Sequence, residues 1–189
     1  MQNDVRLRLL ASVKDLPSLL AAIHAGARPS RDGDGVTLLM FVVSVDWAEG
    51  FDAILPYSNI EDVDNYGWTA LDWAVLRSGG QMIEKIVEAG SKPMLAGKSM
   101  RQSLRLAAEF ACSQGKPGTV AFIDKLRALL SSADADPWAV DDNGRNLFKF
   151  LENIGLPKAS LRAEVFAEQQ ALSRCAPPKE AGASLSLRI

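Results

Sequence analysis

The side chains best suited to acid–base, nucleophilic or metal chemistry are few and widely separated in this sequence. There is one histidine, His24, and there are two cysteines, Cys112 and Cys175. A catalytic base needs a nucleophile and an orienting group within hydrogen-bonding reach, and neither cysteine lies near His24 in the chain. The usual zinc ligand sets cannot be assembled from one histidine and two isolated cysteines. We therefore expect no catalytic residue, no metal site and no cofactor.

A second candidate is the segment Gly97-Lys98-Ser99, which matches the end of the phosphate-binding P-loop pattern. The full pattern requires another glycine earlier in the loop and a strand before it. Lys92 occupies the position of that glycine, and an amphipathic helical pattern precedes the segment. The sequence therefore favours a degenerate turn at Lys98 and Ser99. A nucleotide-binding enzyme remains the alternative.

Acidic residues concentrate in the segments between apolar stretches: Asp32, Asp34, Glu61, Asp62, Asp64, Asp141 and Asp142. Three of them, Asp32, Asp64 and Asp141, each begin an Asp-x-x-Gly sequence, in which a short carboxylate caps local backbone amides. The others would project from successive turns along one edge of the molecule. Such an edge could attract a protein partner with a basic surface, and the alternative is that the acidic residues only keep the turns soluble.

These turns belong to a repeating pattern that positions them along the chain. Gly35 and Gly67 lie 32 residues apart, and each is followed two positions later by a threonine and then by an apolar pair. The clearest unit, residues 64–93, contains a turn, two short amphipathic helices and another turn. Leu104 lies 33 residues after Leu71, so the phase continues where the turn signature is lost. A period near 33 residues is typical of helical repeat arrays.

In these turns and helices the sequence resembles the ankyrin-repeat family, over roughly residues 4–155. The resemblance implies an all-α, ankyrin-type solenoid of about four to five helix-turn-helix repeats with hairpin tips and a C-terminal capping helix. We expect one domain over residues 1–175, with capping helices at both ends, and a C-terminal tail at 176–189. The glycine-rich stretch 113–119 is expected to be a flexible connector before a helix over residues 120–130.

Ankyrin arrays usually bind proteins, so the resemblance implies a non-enzymatic interaction module that holds a partner on its concave face and hairpin tips. In that family the contacts come from residues flanking each tip glycine and from the exposed ends of the first helices. Carried over to this sequence, these positions are Asp34, Val36, Asn65, Tyr66, Trp68, Leu76, Arg77, Asp142, Asn143 and Arg145, and, by helix phase, Arg101, Glu109 and Phe110. Trp68 is the expected centre of the interface, because exposed aromatic side chains are enriched in binding hot spots. Packing of Tyr66 and Trp68 in the core is the alternative.

Composition and charge limit the remaining classes of function. The 21 basic and 23 acidic residues give a net charge of −2, which provides no basic footprint for nucleic acid. No stretch approaches the roughly 18 uncharged apolar residues that span a membrane, and the N-terminus lacks a secretory cleavage pattern. Two isolated cysteines favour reduced thiols. We expect a cytoplasmic protein that binds neither nucleic acid nor membrane.

The sequence does not name the protein partner. An inhibitor or immunity protein that plugs a toxin's active site and an adaptor agree equally with the pattern. So does a bacterial secreted effector that captures a host protein. Self-association through the degenerate fourth unit is a further alternative, and the oligomeric state is left open.

Overall fold

The structure is a computed structural model that describes residues 2–175, and the expected tail at 176–189 lies outside the described residues. Within residues 2–175 the chain forms α-helices and a short 3-10 turn (Leu55–Tyr57) but no strand, which confirms the all-α prediction. The helices are α1 (Gln2–Ser12), α2 (Leu16–His24), α3 (Leu38–Ser44), α4 (Ala48–Ile54), α5 (Ala70–Arg77), α6 (Gly80–Glu88), α7 (Lys98–Ser113), α8 (Lys116–Ser131), α9 (Leu147–Asn153) and α10 (Pro157–Cys175). In this part of the chain, no helix has the length and apolar character to cross a membrane.

Consecutive helices pack in pairs, and the pairs follow one another in a row. α1 packs on α2, α3 on α4, α5 on α6, α7 on α8 and α9 on α10. The first helices of successive pairs also pack on each other, from α1 through α3 and α5 to α7. The shared interior is one cluster of apolar side chains, in which Leu71, Ile83, Leu104 and Phe122 are almost fully buried. Burial between neighbouring pairs holds the row together, because one pair alone has no closed core.

Three turns of the same geometry precede α3, α5 and α9. We call them the first turn (Asp32–Val36), the second turn (Asp64–Trp68) and the third turn (Asp141–Arg145). In each, the aspartate Oδ1 accepts hydrogen bonds of 2.9–3.0 Å from the backbone amides two and four positions later. The fourth residue is a glycine with φ of 69–79°, a left-handed conformation that costs glycine little. The expected capping role of the turn aspartates is confirmed.

Each turn leads directly into a capped helix. Thr37, Thr69 and Asn146 stand five residues after their turn aspartates. Their side chains accept hydrogen bonds of 2.9–3.3 Å from the backbone amides three positions later. This contact satisfies one of the amides left without an intrahelical partner at a helix start. The asparagine therefore preserves at the third turn the turn-and-cap arrangement that the first and second turns make with threonine.

The first and second turns are joined edge to edge. The Asn65 backbone amide donates to the Asp34 carbonyl at 2.9 Å, and the Asn65 side-chain amide donates to the Gly33 carbonyl at 3.1 Å. The Arg31 side chain adds an ion pair with Asp62 at 2.8 Å. These contacts make the two turns a continuous surface.

The fourth unit departs from this arrangement, because no equivalent turn stands before α7. Residues 91–97 connect α6 to α7 without an Asp-x-x-Gly sequence, and Leu95 is buried. A Cβ atom added to Gly35 would lie 2.5 Å from the Asn65 Oδ1, whereas one added to Gly67 would meet nothing within 4 Å. The side of the second turn that faces the fourth unit is therefore uncovered.

A buried carboxylate connects the cap of α5 to α7. Asp72 is almost fully buried, and its carboxylate accepts hydrogen bonds from the Thr69 backbone amide at 3.0 Å and from the Ser103 hydroxyl at 3.3 Å. Burial raises the pKa of Asp72, because removal from water disfavours its charged form, while the bonds from Thr69 and Ser103 act in the opposite direction. The first helices of the third and fourth units are thus joined by polar as well as apolar contacts.

The stretch 113–119 is not the expected flexible connector. α7 continues to Ser113 and α8 begins at Lys116, so only two residues separate the helices. One of them, Gly115, has a φ of 68° and ends the first helix as a left-handed glycine commonly does. The prediction from composition was wrong, because glycine and proline in this stretch are compatible with a helix end and a helix start. Proline is well tolerated in the first turn of a helix, which is where Pro117 lies.

Candidate functional site

A groove of ≈ 720 Å³ opens beside the uncovered second turn. Its walls come from that turn, from α5 and from the first half of α7. The lining residues are Tyr66, Gly67, Trp68, Trp73, Leu76, Arg77, Lys98, Ser99, Gln102 and Leu106. The volume lies within the range of ligand-binding clefts, about 300–1,000 Å³. We attribute the groove to the absence of a turn before α7, because the second turn covers the corresponding side of the first.

Trp68 lies at the bottom of the groove and is not exposed as predicted. Only 9 % of its surface is accessible, and its ring packs edge to face on Trp73 with the ring centroids 5.7 Å apart. The Trp73 indole Nε1 donates a hydrogen bond to the Asp64 Oδ2 at 3.1 Å, which holds the second ring in place. The expectation of an exposed Trp68 was wrong because packing on Trp73 removes its apolar surface from water.

Tyr66 and the last turn of α5 form one rim of the groove. Tyr66 is 73 % exposed, and its backbone amide is held by the Asp64 carboxylate at 2.9 Å. Leu76 is partly buried and Arg77 is exposed, both at the end of α5. The structure therefore brings together four of the predicted partner-binding residues, Tyr66, Trp68, Leu76 and Arg77.

The opposite rim is one side of α7. Ser99, Gln102 and Leu106 follow each other at intervals of three and four residues, which places them on the same side of the helix. The next interval of four leads to Phe110, whose side chain is 65 % exposed. Apolar side chains therefore line the groove at Tyr66, Trp68, Trp73, Leu76 and Leu106 and continue one turn further along α7 to Phe110, while Ser99 and Gln102 add polar groups on the α7 side. Exposed apolar surface of this kind marks many interaction sites.

Two cations stand at the groove without acidic partners. Arg77 and Lys98 are exposed, and neither forms a hydrogen bond or ion pair with another described residue. The Asp64 carboxylate of the second turn is buried, and backbone amides and the Trp73 indole occupy it. By contrast, an aspartate pairs with each of Arg8, Arg31 and Arg145. The mouth of the groove therefore carries uncompensated positive charge.

The other accessible predicted residues lie outside the groove. They are Asp34, Val36 and Asn65 at the first two turns, Glu109 on α7, and Asp142, Asn143 and Arg145 at the third turn. Asn65 joins the two turns, Glu109 pairs with Arg105 at 2.8 Å, and Arg145 pairs with Asp141 at 2.9 Å. The first and third turns present exposed residues, but those residues do not line the groove.

The third turn contains a carboxylate with a low pKa. Partial burial alone would raise the pKa of Asp141. Hydrogen bonds from the Arg145 backbone and side chain and from the Asn143 amide, together with the charge of Arg145, outweigh that effect and lower the pKa to about 2. This carboxylate is thus ionised and fully engaged within its own turn. Its local partners leave it little capacity to recruit a basic protein.

The expectation that Arg101 contacts a partner is wrong, because only 6 % of its surface is accessible. Its guanidinium lies over the Phe150 ring, 4.7 Å from the centroid, and donates to the Arg145 carbonyl at 3.3 Å. Arg101 therefore links α7 to α9 and to the third turn. Helix phase alone failed here, because an arginine can bury its stem and its charge between packed helices.

Comparison with known proteins gives one distant similarity. No protein-family model matches the chain. The chain is 26 % identical over 163 residues to the calmodulin-binding transcription activator 5 of Arabidopsis thaliana. The matched region covers 83 % of this chain but only 16 % of that protein.

The sequence did not indicate the α7 side of the groove. Lys98 and Ser99 form the first residues of α7 after the Gly97 cap, so the expected degenerate turn ends before them. No strand precedes them within the described residues, as a P-loop would require. Gln102 and Leu106 were missed, although their spacing from Ser99 is the helical one. Two features of the sequence could have indicated this side of the groove: the helical spacing of these residues and the absence of an Asp-x-x-Gly sequence before α7.

Among the described residues, no group of three or more histidine, cysteine, aspartate or glutamate side chains is placed to hold a metal ion. His24 and Cys112 are both exposed, and neither lines the groove. The candidate site consists of aromatic, aliphatic and cationic side chains together with the uncharged polar residues Ser99 and Gln102. Such a set is suited to binding a ligand surface.

Proposed function

We propose that the chain is an ankyrin-type solenoid that acts as a non-enzymatic protein-binding module. The repeat assignment is supported by three turns with the same hydrogen bonds, each followed at the same interval by a helix cap. The packing of successive first helices supports it as well. In this proposal the partner docks on the groove beside the second turn, and Asp34, Val36, Asp142 and Asn143 contribute from the first and third turns, outside the groove.

The observation that carries the proposal is the set of apolar side chains that line the groove between the exposed Tyr66 and Phe110. Tyr66 and Phe110 are largely exposed, whereas Trp68 of the second turn and Trp73 of α5 line the groove. Protein interfaces commonly combine a desolvated aromatic centre with a polar rim. Here the polar rim consists of Arg77, Lys98, Ser99 and Gln102.

The proposal includes a cytoplasmic setting and covers an inhibitor or immunity protein, an adaptor and a secreted effector alike. All three would use the same docking surface, and the partner's identity decides between them. The plant relative's name describes calmodulin binding and transcription activation. Neither property is carried over, because the matched region is 16 % of that protein.

Affinity capture with matched variants tests the proposal. The full chain and the double variant Tyr66→Ser/Phe110→Ser are used as baits in lysate from the source cell, and retained proteins are quantified by mass spectrometry. A specific partner should fall by at least about tenfold with the double variant, since two exposed aromatic contacts are removed. The control is Tyr57→Ser/Val140→Ser, which removes comparably exposed side chains away from the groove.

The purified partner should then bind the full chain in calorimetry with the same order of variant effects. Circular dichroism must show that both double variants are folded. Equal capture by the wild type and both double variants would place the binding surface elsewhere, and no capture above a bait-free control would count against the module itself.

The nucleotide-binding alternative rests on Lys98 and Ser99, which line the groove at the start of α7. Calorimetry with ATP and GTP at millimolar concentration, with and without magnesium, tests it directly. Saturable binding that is magnesium-dependent and lost in Lys98→Ala would replace the module proposal.

A further inference from the structure

We infer that the groove accepts an acidic segment of the partner protein, with an apolar side chain inserted over Trp68 and carboxylates placed against Arg77 and Lys98. This inference rests on the proposed function and specifies the chemistry of the partner. It differs from the basic partner that the acidic turns suggested from sequence. The groove and the turn acids are different surfaces, and the groove has the opposite charge.

The charge argument comes from what surrounds the two cations. Arg77 stands at the end of α5 and Lys98 at the start of α7, so they lie on the two helices that form the groove. No described residue neutralises either one. The buried carboxylates of Asp64 in the second turn and of Asp72 in α5 are occupied by amide, indole and hydroxyl donors. Carboxylates of a ligand would supply the complementary charge that the described residues do not provide.

The apolar argument comes from the groove between those cations. Trp68 and Trp73 fix an aromatic surface at its bottom, and Leu76 and Leu106 are partly buried on its two sides. Its volume of ≈ 720 Å³ accommodates at least one large side chain of a ligand. The ligand segment therefore needs an aromatic or aliphatic residue close to its acidic residues.

The first two turns show how a segment can pair with the edge that is left open. Asn65 of the second turn donates to the carbonyls of Gly33 and Asp34 in the first turn. In the second turn the equivalent carbonyls belong to Asn65 and Tyr66, and no described residue donates to them. A ligand backbone with amides facing the second turn would repeat the contact already made inside the chain. The ligand thus takes the place of the absent turn.

Peptide selection on the full chain tests the inference. A library of random peptides displayed on phage is selected on immobilised protein, and enriched peptides are synthesised and titrated while tryptophan fluorescence is followed. We expect enriched peptides to be acidic, with at least one aromatic or large aliphatic residue. Their affinity should weaken as ionic strength rises from about 0.01 M to about 0.15 M, because salt screens exposed charges.

Charge reversal identifies the cations. The variant Arg77→Glu/Lys98→Glu should weaken binding of the selected acidic peptides by at least about tenfold. The matched control Arg28→Glu/Lys92→Glu, which reverses two exposed cations that do not line the groove, should change it by less than about twofold. Replacing the peptide carboxylates with lysines should restore binding to the reversed variant.

Several results would overturn the inference: enrichment of basic or neutral peptides, no enrichment at all, or acidic peptides that bind the reversed variant normally. Displacement of a selected peptide by ATP would favour the nucleotide alternative. If the captured partner depends on Tyr66 and Phe110 while no acidic peptide binds, the proposed function stands and the acidic ligand is wrong. If neither dependence is found, both proposals fail.

Discussion

At the scale of single residues, the aspartate that begins each turn is a structural group. Asp64 illustrates this, because its two carboxylate oxygens accept hydrogen bonds from the Tyr66 and Trp68 amides and from the Trp73 indole. One buried carboxylate therefore sets the shape of the second turn and the position of a groove residue. Removing it would disturb the fold and the candidate site together.

The pH dependence of stability should reveal the equivalent group of the third turn. The pKa of Asp141 is lowered from 3.8 to about 2 in the folded chain. A lowered pKa means that the carboxylate stabilises the fold fully above its ordinary pKa, and that this stabilisation is lost as the pH falls from about 4 to about 2. The variant Asp141→Asn should be less stable than the wild type at pH 7 and show a flatter acid profile. Denaturant unfolding at each pH measures both effects.

The neighbouring variant Asp142→Asn serves as the control for this measurement. Asp142 is exposed and has no hydrogen bond or ion pair with another described residue. It should keep the wild-type acid profile. If the free energies of unfolding of Asp141→Asn and of the wild type change in parallel between about pH 4 and about pH 2, the ion pair with Arg145 does not stabilise the folded state.

Individual residue environments were the least predictable level of this structure. The sequence places Trp68 directly after the turn glycine, but the packing of Trp68 on Trp73 depends on how the second turn contacts α5. The prediction that Arg101 contacts a partner failed for the same reason, because its burial is set by Phe150 and the third turn, more than forty residues later in the chain. Sequence spacing identifies a helix face, whereas the partner of that face is a tertiary property.

At the scale of elements, the turns differ in what covers them, and this difference is measurable. Gly35 and Gly67 have nearly equal φ values of 78° and 79°. Alanine at either position should therefore cost about 1–2 kcal/mol for the left-handed conformation. In Gly35→Ala the new Cβ atom also meets Asn65, at 2.5 Å from its Oδ1 and 2.9 Å from its backbone nitrogen. That variant should lose about 1–3 kcal/mol more.

Chemical denaturation of the two glycine variants checks this difference, with the wild type as reference. Equal losses of stability in the two variants would mean that the edge-to-edge contact of the first two turns adjusts to the added Cβ atom without a cost in free energy. A larger loss for Gly67→Ala would mean that the second turn is covered after all, and the origin assigned to the groove would be wrong.

The turns and their helices were largely predictable from sequence, because their determinants are local. An Asp-x-x-Gly sequence and a cap five residues after its aspartate define the geometry without help from distant residues. The junction between α7 and α8 was not predictable in this way. Proline and glycine often interrupt helices, yet here Pro117 lies in the first turn of α8 and Gly115 follows the end of α7.

At the scale of the whole molecule, the row of helix pairs depends on contacts between neighbours. Leu71 on α5 is 1 % exposed and belongs to the shared apolar cluster. Leu71→Ala should cost about 2–5 kcal/mol, because it leaves a cavity between packed helices. The control Leu9→Ala truncates a leucine on α1 that is 63 % exposed and should stay within about 0.5 kcal/mol of the wild type.

Unfolding in denaturant, followed by circular dichroism and tryptophan fluorescence, measures both leucine variants. A tolerated Leu71→Ala would contradict its position in the core. The overall row was predictable because Leu71 and Leu104 keep the 33-residue phase. The groove was not predictable, because it arises where residues 91–97 do not form a turn. No single residue of the sequence indicates that this side of the second turn is uncovered.

The edge-to-edge joining of the first two turns also affects the entropy of binding. The hydrogen bond from Asn65 to the first turn and the ion pair between Arg31 and Asp62 hold the second turn in place. The Asp64 carboxylate accepts a hydrogen bond from the Tyr66 amide, so the backbone of Tyr66 is fixed before any ligand arrives. A ligand therefore has little main chain to order on this side, and the conformational penalty is mainly that of the exposed Tyr66 side chain, about 0.5–1.5 kcal/mol. Weak individual contacts can then produce useful affinity, because most of the ordering was completed when the chain folded.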